Sequence, residues 1–352
     1  MVTLFCRAVL VHEGLIEDLR LLLKITKGKT MNRIVAVLVI MIFGLLTVAG
    51  PVRSEGAKEI RVALQAGPHY GPIFVVKQKG WMEEELKKNG VAVKWASFAA
   101  GPPMNEALAA GEEDLGFMGD TPAIIARAAG QDTRIIALTS SAPKALALLV
   151  AKNSTILSPK DLKGKKVAVV KGSYAHHLLV LVLQNNGLTV DDVQVVNLSH
   201  ADIATALVKG EIDAGALWEP LITKLEDEGS AKVLVDGTGI KQGVLVIVAR
   251  NEFASKNSEL VATFLKSYQR GLEFIQANPK EAAGLVAKEV NLTPEQLLKV
   301  MAKFDYSPAI RPDAIKELKK SEEFMRDAGI IKTPVDIDAF VDLRYLQSAG
   351  IQ

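Results

Sequence analysis

Short apolar runs alternate with amphipathic segments along most of this chain. Ile60–Leu64 and residues 91–98 have the length and composition of buried strands. A helix is predicted over about 73–79, with Gly80 as its end. The same order of strand and then helix recurs further along, which is typical of parallel sheets covered by helices. We therefore predict an α/β fold.

One phrase occurs twice. Residues 108–116 read L-A-A-G-E-E-D-L-G, and residues 207–215 read L-V-K-G-E-I-D-A-G. Each copy predicts the end of a helix, a glycine cap, a short turn and an apolar strand. Helix-start sequences follow both copies: Gly119-Asp120-Thr121-Pro122 and Trp218-Glu219-Pro220. The repeat predicts two similar α/β lobes, in which a ligand would bind beyond the carboxyl ends of the strands.

The second half of the chain predicts a return to the first lobe. Two apolar runs, 145–151 and 244–249, are expected to cross between the lobes, and the sequence from Ser258 onward is mostly helical. We expect lobe one to comprise residues 58–147 and 246–352, and lobe two to comprise residues 148–245. Two crossovers make a hinge beside a cleft that can close. The alternative is two domains in sequence.

The N-terminal region predicts export. Met31-Asn32-Arg33 precedes an unbroken apolar run to Ala49. Gly50-Pro51-Val52-Arg53-Ser54 follows, in which Val52 and Ser54 fit the small or neutral positions before a cleavage site. We expect residues 31–54 to be a signal peptide cut after Ser54, and a periplasmic location. The alternative is an uncleaved anchor, although a membrane helix usually needs about 20 apolar residues. Residues 1–30 are interpreted as a mis-assigned start, with an amphipathic extension as the alternative.

Composition excludes several classes of protein. The formal net charge of +2 gives no reason to expect nucleic-acid binding. Cys6 is the single cysteine, so the exported chain would hold no disulfide, thiol nucleophile or lipid-attachment cysteine. The sequence contains no zinc-spaced Cys/His set, phosphate loop or G-x-S-x-G motif. We expect no enzyme activity, no cofactor and no metal site, and we expect a monomer.

The candidate chemistry lies in loops that follow a strand and open a helix. Unpaired backbone N–H groups and the helix dipole favour anions at such positions. The candidate ligand-binding residues are Gln65, Gly101, Pro102, Gly119, Asp120, Thr121, Ser173, Tyr174, His176, Trp218 and Glu219. For Gly101-Pro102 the alternative is an ordinary strand–helix turn.

The side chains in these loops suggest different roles. Thr121 and Ser173 offer hydroxyl groups, and His176, in a first helical turn, can donate to an anionic oxygen or pack within the lobe. The Trp218 indole can pack on the carbon chain of a ligand, donate its N–H, or belong to the core. Asp120 and Glu219 would repel an anion, so capping a helix or bridging the lobes suits them better.

Taken together, these phrases resemble a known family, the aliphatic sulfonate-binding proteins of the taurine/nitrate/sulfonate group of ABC importers. Residues 98–108, F-A-A-G-P-P-M-N-E-A-L, are similar to the phrase F-x-A-G-P-x-M-x-E-A-L of that family. D-L-G-x-x-G-D-x-P at 114–122, K-G-S-x-x-H at 171–176 and W-E-P at 218–220 match as well. The resemblance extends from about Ile60 to the C-terminus.

The resemblance implies a fold and a function. The fold would be a two-lobed type II periplasmic-binding fold, and the protein would capture an aliphatic sulfonate or similar small organic anion and deliver it to a membrane permease. The chain departs from the family at Tyr174 and Ala175, where small hydroxyl residues are frequent, and this leaves the exact ligand open. The alternatives are another ligand, such as taurine, nitrate or a pyrimidine precursor, or an enzyme on the same scaffold.

Overall fold

A computed structural model describes residues 57–352; the predicted signal peptide 31–54 and residues 1–30 lie outside the described residues. The strands are β1 Glu59–Gln65, β2 Ala92–Phe98, β3 Leu115–Gly119, β4 Thr133–Ser141, β5 Leu146–Ala151, β6 Lys166–Val169, β7 Gln194–Asn197, β8 Ala214–Trp218, β9 Ala231–Asp236 and β10 Val244–Arg250. The helices are α1 Gly71–Lys79, α2 Trp81–Lys87, α3 Gly101–Ala110, α4 Asp120–Ala128, α5 Tyr174–Asn185, α6 His200–Lys209, α7 Leu221–Asp227, α8 Asn251–Lys256, α9 Ser258–Ala277, α10 Pro279–Val286, α11 Pro294–Met301, α12 Pro312–Asp327, α13 Ile337–Phe340 and α14 Arg344–Ala349.

The strands form two five-stranded mixed sheets of the same design. Their orders are β2-β1-β3-β10-β4 and β7-β6-β8-β5-β9. In the first sheet β1 is parallel to β2 and β3, while β10 is antiparallel to β3 and β4. In the second, β6 is parallel to β7 and β8, while β5 is antiparallel to β8 and β9. The predicted α/β fold is confirmed. The hydrophobic pattern alone does not single out β4 and β9.

The repeated phrase occupies the same place in both sheets. Gly111 and Gly210 cap α3 and α6 with φ of 72° and 71°, a left-handed conformation that glycine adopts without strain. The aspartates that follow accept a hydrogen bond from the first residues of the neighbouring strand: Asp114 from Arg61 N–H (3.0 Å) and Asp213 from Lys166 N–H (2.8 Å). The phrase thus fixes how each helix returns to its sheet.

Two chain segments cross between the sheets, between β4 and β5 and between β9 and β10. They run beside each other, since Ala142 N–H donates to the Gln242 carbonyl (3.0 Å) and Gly237 N–H donates to the Pro143 carbonyl (3.0 Å). We call each sheet with the helices packed on it a lobe. The paired crossing segments therefore form a two-stranded connection between the lobes. The apolar runs expected to cross, 145–151 and 244–249, largely form β5 and β10 within the sheets, and the crossings lie just before them.

The C-terminal helices pack beside β4 of the first sheet. Val341 forms a parallel bridge with Ile135, and Asp305 an antiparallel bridge with Ser141. The Tyr268 hydroxyl on α9 donates to the Thr139 carbonyl at 2.5 Å. Within residues 57–352, no helix combines the length and apolar character that crossing a membrane requires.

Candidate functional site

A cavity of about 240 Å³ lies between the lobes. Loops at the carboxyl ends of β1, β2, β3 and β8 and the starts of α3, α4, α5 and α6 surround it. Eight of the eleven predicted site residues line it: Gln65, Gly101, Gly119, Thr121, Ser173, Tyr174, Trp218 and Glu219. Pro102 is exposed at the start of α3, and Asp120 and His176 are also outside the lining. The lining further includes His69, Tyr70, Phe98 and His200.

The start of α4 places Thr121, whose hydroxyl has no hydrogen-bond partner, in the cavity lining. Gly119 precedes the helix in an extended conformation, and the side chain of Asp120 accepts from Thr121 N–H at 2.7 Å. The Thr121 side chain is fully buried, yet its Oγ1 has no hydrogen-bond partner. A buried polar atom without a partner costs free energy, so the position favours a ligand that accepts this hydrogen bond.

Asp120 is held by a buried lysine. Its carboxylate accepts from Lys241 Nζ at 3.2 Å and from the Ser321 hydroxyl at 2.5 Å. Lys241, which lies in the second crossing segment, also donates to Glu317 at 3.2 Å and to Ser321 at 3.0 Å. We call these four residues the Lys241 cluster. Asp120 thereby links the cavity loop to the second crossing segment and to α12. No local pattern in the sequence indicates that Lys241 is its partner.

The start of α5 faces the cavity from the second lobe. Ser173 caps the helix by accepting from His176 N–H at 3.2 Å, and Tyr174 follows it into the lining. Burial raises the pKa of the Tyr174 hydroxyl well above its ordinary value, so the phenol is neutral. Gly119 approaches this tyrosine closely, because a Cβ added to Gly119 would lie 4.0 Å from the tyrosine ring. The starts of α4 and α5 therefore meet at the cavity.

His176 turns away from that cavity. Its Nδ1 accepts from Gly172 N–H at 3.3 Å, and its ring stands edge-on to Phe324, with ring centroids 5.5 Å apart. It lines a separate space of about 910 Å³ between α5 and α12. Burial lowers the pKa of His176, which keeps the imidazole neutral at neutral pH.

Trp218 is the last residue of β8 and Glu219 follows it, and the two side chains have different roles. The Trp218 indole is stacked on His200, with centroids 3.8 Å apart and planes 8° from parallel, and it contacts Tyr174 at 5.4 Å. The Glu219 carboxylate is completely buried and accepts from the Thr223 hydroxyl (2.8 Å), from Thr223 N–H (3.1 Å) and from Lys303 Nζ. Trp218 thus presents a ring to the cavity, while Glu219 forms an ion pair.

The loop after β1 supplies further rings and donors. Gln65 Nε2 donates to the Phe117 carbonyl at 3.0 Å and lies 3.4 Å from the Tyr70 hydroxyl. Burial lowers the pKa of His69 to about 3, and its Nδ1 has no partner.

Burial also lowers the pKa of His200 to about 4. Sequence reasoning missed His200, although Ser199-His200 repeats the pattern of a strand followed by a helix start.

The electrostatic character of the cavity is therefore neutral. Its donors are hydroxyl, imidazole and amide groups, and the one carboxylate in the lining, Glu219, is neutralised by Lys303. In the part of the chain that the structure describes, no group of three His, Cys, Asp or Glu side chains is placed to hold a metal ion. Such a cavity suits reversible binding of a small molecule with an acceptor-rich head.

Comparisons with known proteins agree with this geometry. The model of the NMT1/THI5-like family matches residues 67–282, more than half of the chain. The chain belongs to the NMT1/THI5-like family. A Bacillus subtilis relative that carries the name of an aliphatic sulfonates-binding protein is 32% identical over 326 residues, which cover 91% of this chain and 97% of the relative.

Solved structures of sulfonate-binding proteins share the fold. The periplasmic aliphatic sulphonate-binding protein SsuA from Escherichia coli superposes with a TM-score of 0.76 at 29% identity, over 82% of this chain and 92% of that one. The alkanesulfonate-binding protein SsuA from Xanthomonas axonopodis pv. citri, bound to MOPS, gives a TM-score of 0.75 at 26% identity, over 82% and 100% of the two chains. The predicted family and the type II periplasmic-binding fold are confirmed, and the chain is a substrate-binding protein.

Proposed function

We propose that the protein is the extracytoplasmic receptor of an ABC importer and that its interlobe cavity captures a small organic sulfonate. Closure of the lobes around the ligand would then present a surface to a membrane permease. The observation that carries the proposal is the meeting of two helix starts, one from each lobe, at a cavity that holds a buried hydroxyl without a partner, that of Thr121.

The head group would lie at these helix starts. Thr121 and Ser173 line the cavity from opposite lobes, and the N-terminal ends of α4 and α5 add their partial positive charge. A sulfonate has three acceptor oxygens and one negative charge, which suits several neutral donors arranged around one point. Binding through donors of both lobes also explains why a ligand would favour the closed form.

The free energy of such contacts is sufficient without an arginine. Hydrogen bonds to a charged group contribute about 1.5–3 kcal/mol each, so four donors give a gross figure of about 6–12 kcal/mol. Micromolar affinity requires about 8 kcal/mol. Ordering the loops on closure reduces the gross figure. We therefore expect dissociation constants in the micromolar range.

Isothermal titration calorimetry tests the proposal with a panel of anions. The purified protein is titrated with 1-butanesulfonate, taurine, butyrate, nitrate and bicarbonate under one set of conditions. We expect 1-butanesulfonate to bind at micromolar concentration and butyrate, which has the same chain with a carboxylate head, to bind at least about tenfold more weakly. Binding of nitrate or bicarbonate with no binding of any sulfonate would reject the proposed ligand class.

A further inference from the structure

Aromatic rings from both lobes line the cavity. His69, Tyr70 and Phe98 lie on the side of the first sheet, and Tyr174, His200 and Trp218 on the side of the second. His69 and Tyr70 stand edge to face, with centroids 4.8 Å apart and planes at 85°. Trp218 is clamped by its stack on His200 and its contact with Tyr174. The rings of both lobes thus border the space in which a ligand would lie, and another flat ring packs well on the faces or edges of such rings.

The cavity has the volume of a small ring compound. A cavity of about 150 Å³ in an engineered protein core is large enough to hold benzene. The cavity volume of about 240 Å³ exceeds this, which is compatible in size with one six-membered ring and a sulfonate group.

The cavity offers no free negative charge to a cationic tail. Glu219 is completely buried and bound to Lys303 and Thr223, and Asp120, next to the lining, is bound to Lys241 and Ser321. His69 and His200 are uncharged at neutral pH because burial lowers their pKa values. A tail that carries an ammonium group would give up its hydration without gaining a carboxylate partner. The rings can offset this only in part, through cation–π attraction.

We propose that the site, given the function proposed above, selects sulfonates whose tail is one uncharged aromatic ring. The head group lies at the starts of α4 and α5, and the ring lies against Trp218 and Tyr174. Amino-sulfonates are excluded by the missing carboxylate, and short unbranched alkyl tails bind more weakly because they cannot cover the ring faces.

Calorimetry with three probes tests this selection: benzenesulfonate, 1-butanesulfonate and taurine. We expect benzenesulfonate to bind about tenfold more tightly than 1-butanesulfonate, and taurine to bind more weakly than both. Trp218→Leu should bring the ratio of the benzenesulfonate and butanesulfonate affinities close to one. Trp81→Leu, a matched change at a tryptophan that packs on Phe274 and Arg270 away from the cavity, should leave the ratio unchanged.

The outcomes separate this inference from the proposed function. If 1-butanesulfonate binds as tightly as benzenesulfonate, or if Trp218→Leu leaves their ratio intact, the ring selection is wrong and the sulfonate receptor stands. If taurine binds as tightly as benzenesulfonate, the rings act as a cage for cations and the exclusion of amino-sulfonates is wrong. If no sulfonate binds, both proposals fail together.

Discussion

Each copy of the repeated phrase is followed, four residues later, by a carboxylate; the two carboxylates share a position but differ in their partners. Asp120 follows β3 and Glu219 follows β8, and both are completely buried. Asp120 pairs with Lys241 of a crossing segment, whereas Glu219 pairs with Lys303, a residue beside Phe304, which packs on His69 of the first lobe. The first pair therefore stabilises the connection between the lobes, and the second spans the cleft itself.

This difference shows that the same strand, turn and helix start can carry carboxylates with different roles. Strand, turn and helix start are set by the same phrase in both lobes, down to the aspartate that binds the neighbouring strand. The residues just beyond the phrase differ between the lobes. Thr121 in the first lobe carries a hydroxyl without a hydrogen-bond partner, and Trp218 in the second carries an aromatic ring. We infer that Asp120–Lys241 contributes mainly to folding stability, and Glu219–Lys303 mainly to closure.

The largest expected effect is that of Lys241→Met. The substitution leaves Asp120 and Glu317 buried together without a cation, and breaking a buried pair in this way typically costs about 3–5 kcal/mol. Urea unfolding of the purified protein measures the loss. Lys256→Met, at an exposed pair with Glu252, should cost less than about 1 kcal/mol. A loss as small for Lys241→Met as for the control would contradict the stabilising role of the cluster.

Lys303→Met should act on ligand affinity more than on folding. The substitution removes the cation that pairs with Glu219 across the cleft, while Thr223 still donates to the carboxylate. We expect the dissociation constant for 1-butanesulfonate to rise about 10- to 100-fold. Calorimetry measures this change, with Lys319→Met, at an exposed pair with Asp338, as the control. If Lys303→Met left the affinity unchanged and greatly lowered the stability in urea, Glu219–Lys303 would contribute to folding stability and not to closure.

Lowering the pH should destabilise the protein through His177, which lies beside the Asp120–Lys241 pair. His177 lies 3.5 Å from the Ser321 hydroxyl, and burial, with the charges of Lys241, His176 and Lys320, lowers its pKa to about 2. Because the unfolded chain binds a proton near pH 6.5 and the folded chain does not, stability falls as the pH is lowered through 6.5. This residue alone should contribute a loss of about 1.4 kcal/mol between pH 7.5 and 5.5.

A conservative variant isolates that contribution. His177→Phe keeps a flat ring on Phe324, where the histidine is now stacked at 4.2 Å, but cannot take up a proton. Urea unfolding at pH 7.5 and 5.5 should show a smaller difference for the variant by about the same amount. An identical pH difference in both proteins would mean that His177 takes up its proton at the same pH in the folded and the unfolded chain.

Much of the architecture was predictable because it depends on local signals. Glycine caps, apolar strands and helix starts placed the loops of Gln65, Thr121, Ser173 and Trp218, and the structure brings these loops together at one cavity. Partners distant in sequence were not predictable, since Lys241 lies 121 positions from Asp120 and Lys303 lies 84 from Glu219. The direction of His176 is a similar case, because it depends on its bond to Gly172 and on packing against Phe324.

The binding of a sulfonate by neutral donors in the cavity is tested most directly by a pair of threonine variants. Thr121 and Thr139 are both fully buried with an unpartnered hydroxyl, but only Thr121 lines the cavity. Calorimetry with 1-butanesulfonate should show an affinity about 10- to 100-fold weaker for Thr121→Val and an unchanged affinity for Thr139→Val. Equal affinities for Thr121→Val and the unmodified protein would contradict the placement of the head group at the start of α4.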